Sequence, residues 1–168
     1  MSLLLLTAFL LAGGGEAATS PGQRRLDKSK EFAYTLPQGW NAYSLPKARH
    51  DLIVLFSDDG FNRNILTVDQ SGTDPFPELK RKYERDLAKG LKGFKLISSD
   101  IVELTGKRKA IRIIDTNTSP GKPIRQVNYI LEIGGKRYFV TCTVLEKDGD
   151  KYDKTFAAFV NSMAKPEK

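Results

Sequence analysis

Cysteine and histidine are nearly missing from this 168-residue chain, which has one of each, and tryptophan also occurs only once. With Cys142 alone no intramolecular disulfide can form, so the fold must rest on its apolar core even in an oxidising compartment. With only His50 beside that cysteine, the His/Cys clusters that hold zinc are excluded within one chain, and no metal and no cofactor are expected. The sequence has no G-x-S-x-G elbow and no phosphate-binding glycine loop. Nor does any apolar run reach the roughly 20 residues of a membrane-spanning helix.

What is present is ordinary for a folded protein, with 40% hydrophobic and 28% charged residues. The excess of charge is positive, +7 from 27 basic and 20 acidic side chains. Such a balance favours anionic partners: nucleic acid, anionic lipid, envelope polymer or an acidic protein.

Met1 to Leu11 carries only Ser2 and Thr7 as polar side chains, followed by Ala12 and three glycines. That run matches the core of a cleaved signal peptide, with Gly15 and Ala17 as the small residues before a cut at Ala18. The positively charged start usual in such leaders is missing. Gly14 stands where a lipoprotein would carry its lipidated cysteine, so a released, soluble product in the periplasm or medium is expected, without a lipid anchor. Residues 1–17 are read as the leader, 18–30 as a flexible linker, and 31–164 as one domain. Export demotes nucleic acid among the possible partners.

Phe32, Tyr34 and Leu36 alternate with Ala33 and Thr35 as a short strand, which Pro37-Gln38-Gly39 turns into a second extended segment at Trp40. Leu52 to Phe56 reads as a buried strand and Asn64 to Gln70 as another. Phe76, Leu79, Tyr83, Leu87 and Leu91 form one apolar stripe of a helix, with Asp74 as the expected N-cap. Phe94 to Leu104 and Arg108 to Thr116 are expected strands joined at Gly106-Lys107. The strongest hairpin joins Ile124–Ile133 to Lys136–Glu146 through Gly134-Gly135. A two-residue turn there pairs Leu131 with Tyr138, Tyr129 with Val140 and Val127 with Cys142 on one apolar face. A closing helix carries Tyr152, Phe156, Phe159, Val160 and Met163 inward, with Asp150 as its expected cap.

These elements specify an α+β fold, an antiparallel β-sheet flanked by helices. Their order, with the pattern Phe32-x-x-x-Leu36-Pro37-x-Gly39-Trp40, resembles the PsbP/Mog1-like superfamily over residues 31 to 164. The resemblance implies an α/β/α sandwich and an accessory or binding role.

Among candidate sites, Glu146, Asp148, Asp150 and Asp153 do not reproduce a calcium-loop pattern and read as a strand-to-helix turn. Asp58-Asp59-Gly60 reads as a turn as well. Cys142 is expected as inert packing, His50 lies in a polar loop with no nucleophile tied to it, and Trp40 is expected to cover one end of the core. The expected helix also pairs Glu78 with Lys82 and Lys80 with Glu84. Arg81, Arg85, Lys89 and Lys92 instead step by 4, 4 and 3 along one ridge, where like charges repel. Stability would not select such a ridge, which makes it the candidate contact for an anionic partner. The reading is a monomeric, non-enzymatic exported binding module that contacts a protein partner or an anionic envelope surface. Two alternatives stay open: a small hydrolase-type enzyme with a site assembled from distant residues, and a small-ligand carrier.

Overall fold

The computed structural model describes residues 22–118 and 121–167. The expected leader, the first part of the expected linker and Ser119-Pro120 lie outside the described residues. Eleven elements follow in order: β1 (Arg24–Leu26), β2 (Ala33–Thr35), β3 (Asn41–Tyr43), β4 (Leu52–Leu55), β5 (Arg63–Gln70), α1 (Phe76–Gly90), β6 (Lys95–Leu104), β7 (Arg108–Asn117), β8 (Ile124–Ile133), β9 (Lys136–Leu145) and α2 (Asp153–Ser162).

Seven strands form one antiparallel sheet in the order β3-β4-β5-β9-β8-β7-β6, while β1 and β2 make a separate hairpin. Alternation along β8 and β9 sends Val127, Tyr129, Leu131, Tyr138, Val140 and Cys142 to one face, under Phe156, Phe159 and Val160 of α2. The other face presents Ile111, Ile113 and Ile130 to Leu79, Tyr83 and Leu87 of α1. The helices thus cover opposite faces, which is the expected α/β/α sandwich.

The β8–β9 hairpin has the register read from the sequence, from Ile133 opposite Lys136 through Val127 opposite Cys142. Gly134 and Gly135 take φ of 59° and 80°, the left-handed values that a two-residue turn of this hand demands. Trp40 is buried and meets Tyr152 and Phe156 edge-on, closing one end of the core as expected.

Four expectations are corrected. Residues 24–30 do not continue the linker, because β1 pairs with β2 and Asp27 is buried. Turn-forming composition is equally suited to a tight hairpin loop, and here the backbone groups find partners across it. Phe56 is 47% exposed, since β4 ends at Leu55 and the apolar run outlasts the buried strand. Neither expected cap acts as one: Pro75 and Tyr152 occupy the N-cap positions, without side-chain capping bonds. Lys82 reaches Asp74 at 3.4 Å rather than Glu78, whereas the Lys80–Glu84 pair forms at 2.8 Å.

Candidate functional site

Two regions carry chemistry that the packing of the core does not require. The first is the basic ridge. Arg81, Arg85 and Lys89 lie on α1 and Lys92 just beyond its end, and all four are exposed. None of them takes an ion pair among the described residues. The nearby acids look elsewhere, Glu84 to Lys80 and Asp74 to Lys82. By contrast, Arg63, Arg125 and Arg137 all hold carboxylates within 3 Å.

The second region surrounds His50. The sequence places this residue in a polar loop, yet its side chain is only 2% exposed. Nδ1 stands 2.9 Å from Asp27 Oδ2 and Nε2 stands 3.0 Å from Asp69 Oδ1. A neutral imidazole has one N–H and cannot donate to both carboxylates. The geometry therefore belongs to the imidazolium. Burial works against that charge, but the bonds to Asp27 and Asp69 outweigh it and hold the His50 pKa above its ordinary value. Phe32 and Tyr138 pack on the ring with centroids 5.4 and 5.7 Å away.

Asp27 is fixed by more than the histidine. Its carboxylate also accepts the backbone N–H groups of Ser29 and Asp51, at 2.8 and 2.9 Å. Burial alone would raise its pKa, yet the bonds from His50, Ser29 and Asp51 bring it below the ordinary value. On the solvent side, Arg49 spans Glu31 at 2.6 Å and Asp69 at 2.7 Å, and Lys136 also pairs with Glu31. Glu31, His50 and Asp69 offer donor atoms within 4.8 Å of one another, close enough to hold a metal ion. The donor set fits one poorly, because Arg49 and Lys136 already supply the positive charge and His50 bonds through both nitrogens.

Beside this cluster lies an open groove of about 520 Å³, walled by Arg49, Asp69, Gly72, Glu132, Lys136 and Arg137. Its charges are already answered, Arg49 by Asp69, Arg137 by Glu132, and Lys136 by Glu31 outside the groove, so none is left over to select a ligand.

The remaining candidates are structural. Cys142 is fully buried on the central strand β9, and burial pushes its thiol pKa well up. Asp148 holds Arg63 and Asp153 holds Arg125, so these two members of the acidic run tie the strand-to-helix turn to the sheet. Asp59 completes the grip on Arg63 at 2.7 Å, consistent with a turn rather than a ligand set. Asp115, missed from the sequence, is buried beside Asn117 and Asn128. Burial raises its pKa to about 6, although the bonds from both amides oppose the rise.

Arg81, Arg85 and Lys89 share α1 at helical spacing, whereas Lys92 lies past its end, where the backbone is already extended. The His50 cluster was missed because Asp27 and Asp69 lie 23 and 19 positions away. The one local signal was His50-Asp51 beside a hydrophobic run, which is weak by itself.

No protein-family model matches this sequence, and the search of curated proteins finds no match. Solved structures do match. The cyanobacterial PsbP (CyanoP) of Synechocystis sp. PCC 6803 superposes with a TM-score of 0.61 at 12% identity, covering 93% of this chain and 99% of that one. LpqN of Mycobacterium tuberculosis, described as involved in cell envelope biogenesis, gives 0.59 at 15% identity over 88% of this chain and 87% of its own. PA94 of Pseudomonas aeruginosa, described as a putative regulator of unknown function, gives 0.52 at 17% identity over 81% and 92%. Among the described residues, no helix is long and apolar enough to cross a membrane. With its seven-stranded antiparallel sheet between two helices, the chain has the PsbP/Mog1-like fold.

Proposed function

We propose that this chain is an exported, non-catalytic accessory module that works by contact, using Arg81, Arg85, Lys89 and Lys92 to hold an anionic partner surface. The observation that carries the reading is the ridge itself: four exposed cations, none of them in an ion pair among the described residues. Repulsion between such neighbours costs a few tenths of a kcal/mol each. An anionic partner removes that cost and adds an attraction that salt screens.

Other features support a role without catalysis. Both nitrogens of His50 are engaged, and the one thiol is buried. The descriptions of the similar structures speak of a cyanobacterial PsbP, a putative regulator of unknown function and envelope biogenesis, and name no reaction. A shared fold is weak evidence of function, so the ridge carries the weight.

The test is a double charge reversal, Arg85→Glu with Lys89→Glu, assayed by retention on a cell-envelope fraction over a salt series. The reading requires weaker retention and a shallower salt dependence. Unchanged retention with unchanged salt dependence overturns it. Export is checked separately, by deleting residues 1–17 and following the protein between cytoplasm and envelope or medium.

A further inference from the structure

At the end of α1 the basic ridge runs directly into exposed aliphatic side chains. Lys89, Lys92 and Lys95 are exposed, and the next two residues, Leu96 and Ile97, are 47% and 56% exposed. Lys95 and Leu96 are consecutive in the strand and point to opposite faces, so the corner where charge meets exposed apolar surface is made by Lys89 and Lys92 at the end of α1 with Leu96 and Ile97 at the start of β6. The corner is firmly built. Leu91 and Phe94 pack inward against the α1 cluster, and Gly93 turns the chain at φ 68°. The Lys92 carbonyl accepts the Thr118 N–H at 2.8 Å and its hydroxyl at 3.0 Å.

Ile97 is conspicuous because the register of β6 against β7 shifts between Leu96 and Ser98, leaving it without a partner. A bulge bends the strand and re-aims the extra residue. Among the described residues β6 is also the edge strand of the sheet, with no strand beyond it on that side.

We infer that this corner docks on the surface of an anionic lipid bilayer, with Lys89 and Lys92 at the headgroups and Leu96 and Ile97 entering the boundary between headgroups and acyl chains. The inference rests on the contact reading above and names the partner of the same ridge. Charge complementarity selects an anionic surface, and lysines flanking protruding aliphatics are the chemistry of interfacial binding. An acidic peptide strand added along β6 fits less well. It would run over the bulge and then meet exposed Asp100 and Glu103, whose charges repel it. A bilayer touches the corner alone and leaves those acids in water.

The experiment is co-sedimentation of the full mature chain with vesicles of phosphatidylcholine alone or mixed with phosphatidylglycerol. Binding is expected to the mixed vesicles only and to fall with salt. Lys89→Gln with Lys92→Gln should weaken it about 25-fold, from about fivefold for each lysine. Leu96→Ser with Ile97→Ser should weaken it on the order of tenfold at unchanged salt dependence. Both aliphatics are exposed, so the second variant should keep the wild-type unfolding midpoint. A fluorophore on Ile97→Cys gives an independent readout, because Cys142 is buried and leaves the new thiol as the accessible one. Its emission should shift to the blue on mixed vesicles. If the envelope fraction retains the protein through the ridge while vesicles of either composition do not, the bilayer inference fails and the contact reading survives with a protein or polymer as partner. Vesicle binding that ignores the serine substitutions, with no blue shift, overturns the insertion of Leu96 and Ile97.

Discussion

Arg63 and Asp148 form a two-pronged pair, Nε to Oδ2 at 2.9 Å and Nη2 to Oδ1 at 3.0 Å, between a strand that begins after one turn and a turn that ends another strand. Asp59 approaches the same guanidinium from within its own turn, at 2.7 Å through both Nη1 and Nη2. Breaking a buried pair from one side costs more than the pair itself contributes, because the remaining charge is stranded. Arg63→Leu should therefore cost on the order of 3 kcal/mol in urea unfolding. Asp148→Asn should cost less, because Asp59 still answers the cation. Equal losses for the two variants would show that the guanidinium is not the shared centre.

Stability should fall in two stages as pH rises. Asp115 binds its proton up to about pH 6 when folded, against 3.8 for the ordinary group, so the folded state holds more protons between those values and loses stability across them. The His50 pKa is raised, so its contribution is complete below the ordinary 6.5 and is lost as pH climbs through the folded value. Asp27 acts in the opposite sense, contributing above its ordinary 3.8 and losing that contribution as pH falls through its depressed folded value. Unfolding midpoints from pH 3 to 9 read all three. His50→Gln should flatten the upper stage and, by removing a bond that holds the Asp27 pKa down, also weaken the acid-side contribution of Asp27; an upper stage that persists in that variant refutes the assignment.

Two backbone positions offer opposite tests of one rule. Gly135 has a φ of 80° with open space around it, so Gly135→Ala adds no clash and should cost about 1 kcal/mol through conformation alone. Lys107 occupies the same region at φ 59° without being glycine. Lys107→Gly should stabilise by up to about 1 kcal/mol. A loss on that replacement would mean that the lysine side chain makes a contact outweighing the strain.

The thiol of Cys142 should resist modification while the protein is folded. It is fully buried and its pKa is pushed well up, so a thiol reagent reaches it only through unfolding. Its labelling rate should rise with urea in step with the unfolded fraction. Rapid labelling of the native protein would show that β9 opens locally.

What was legible in the sequence depended on period and proximity. The β8–β9 register followed from alternation around Gly134-Gly135, because a slip of one residue would turn every apolar side chain to the other face. The buried stripe of α1 followed from helical spacing in the same way, whereas Lys92, read as part of the same helix, lies past its end. The His50 cluster did not, since its three members come from the β1–β2 loop, the segment before β4 and the end of β5. The segment from Arg24 on was misread for a related reason. Its turn-forming residues described the loop correctly but could not reveal that β2 would pair with β1. Asp74 looked like a cap, yet Pro75 follows it directly and moves the first turn of α1 one residue on.

The bond between the two ends of the described chain sets the order in which the molecule can be completed. Ala33 and Ala164 exchange backbone hydrogen bonds at 2.8 and 3.0 Å, and the Thr35 N–H reaches the Ser162 hydroxyl across 127 positions. A chain growing from its N-terminus cannot cover Phe32, Tyr34 and Leu36 until α2 has been made, because Phe159 and its neighbours close that side of the core. Such distant pairings form slowly, in contrast to the local β6–β7, β7–β8 and β8–β9 hairpins. Until α2 is made, that side of the core stays uncovered and open to proteases.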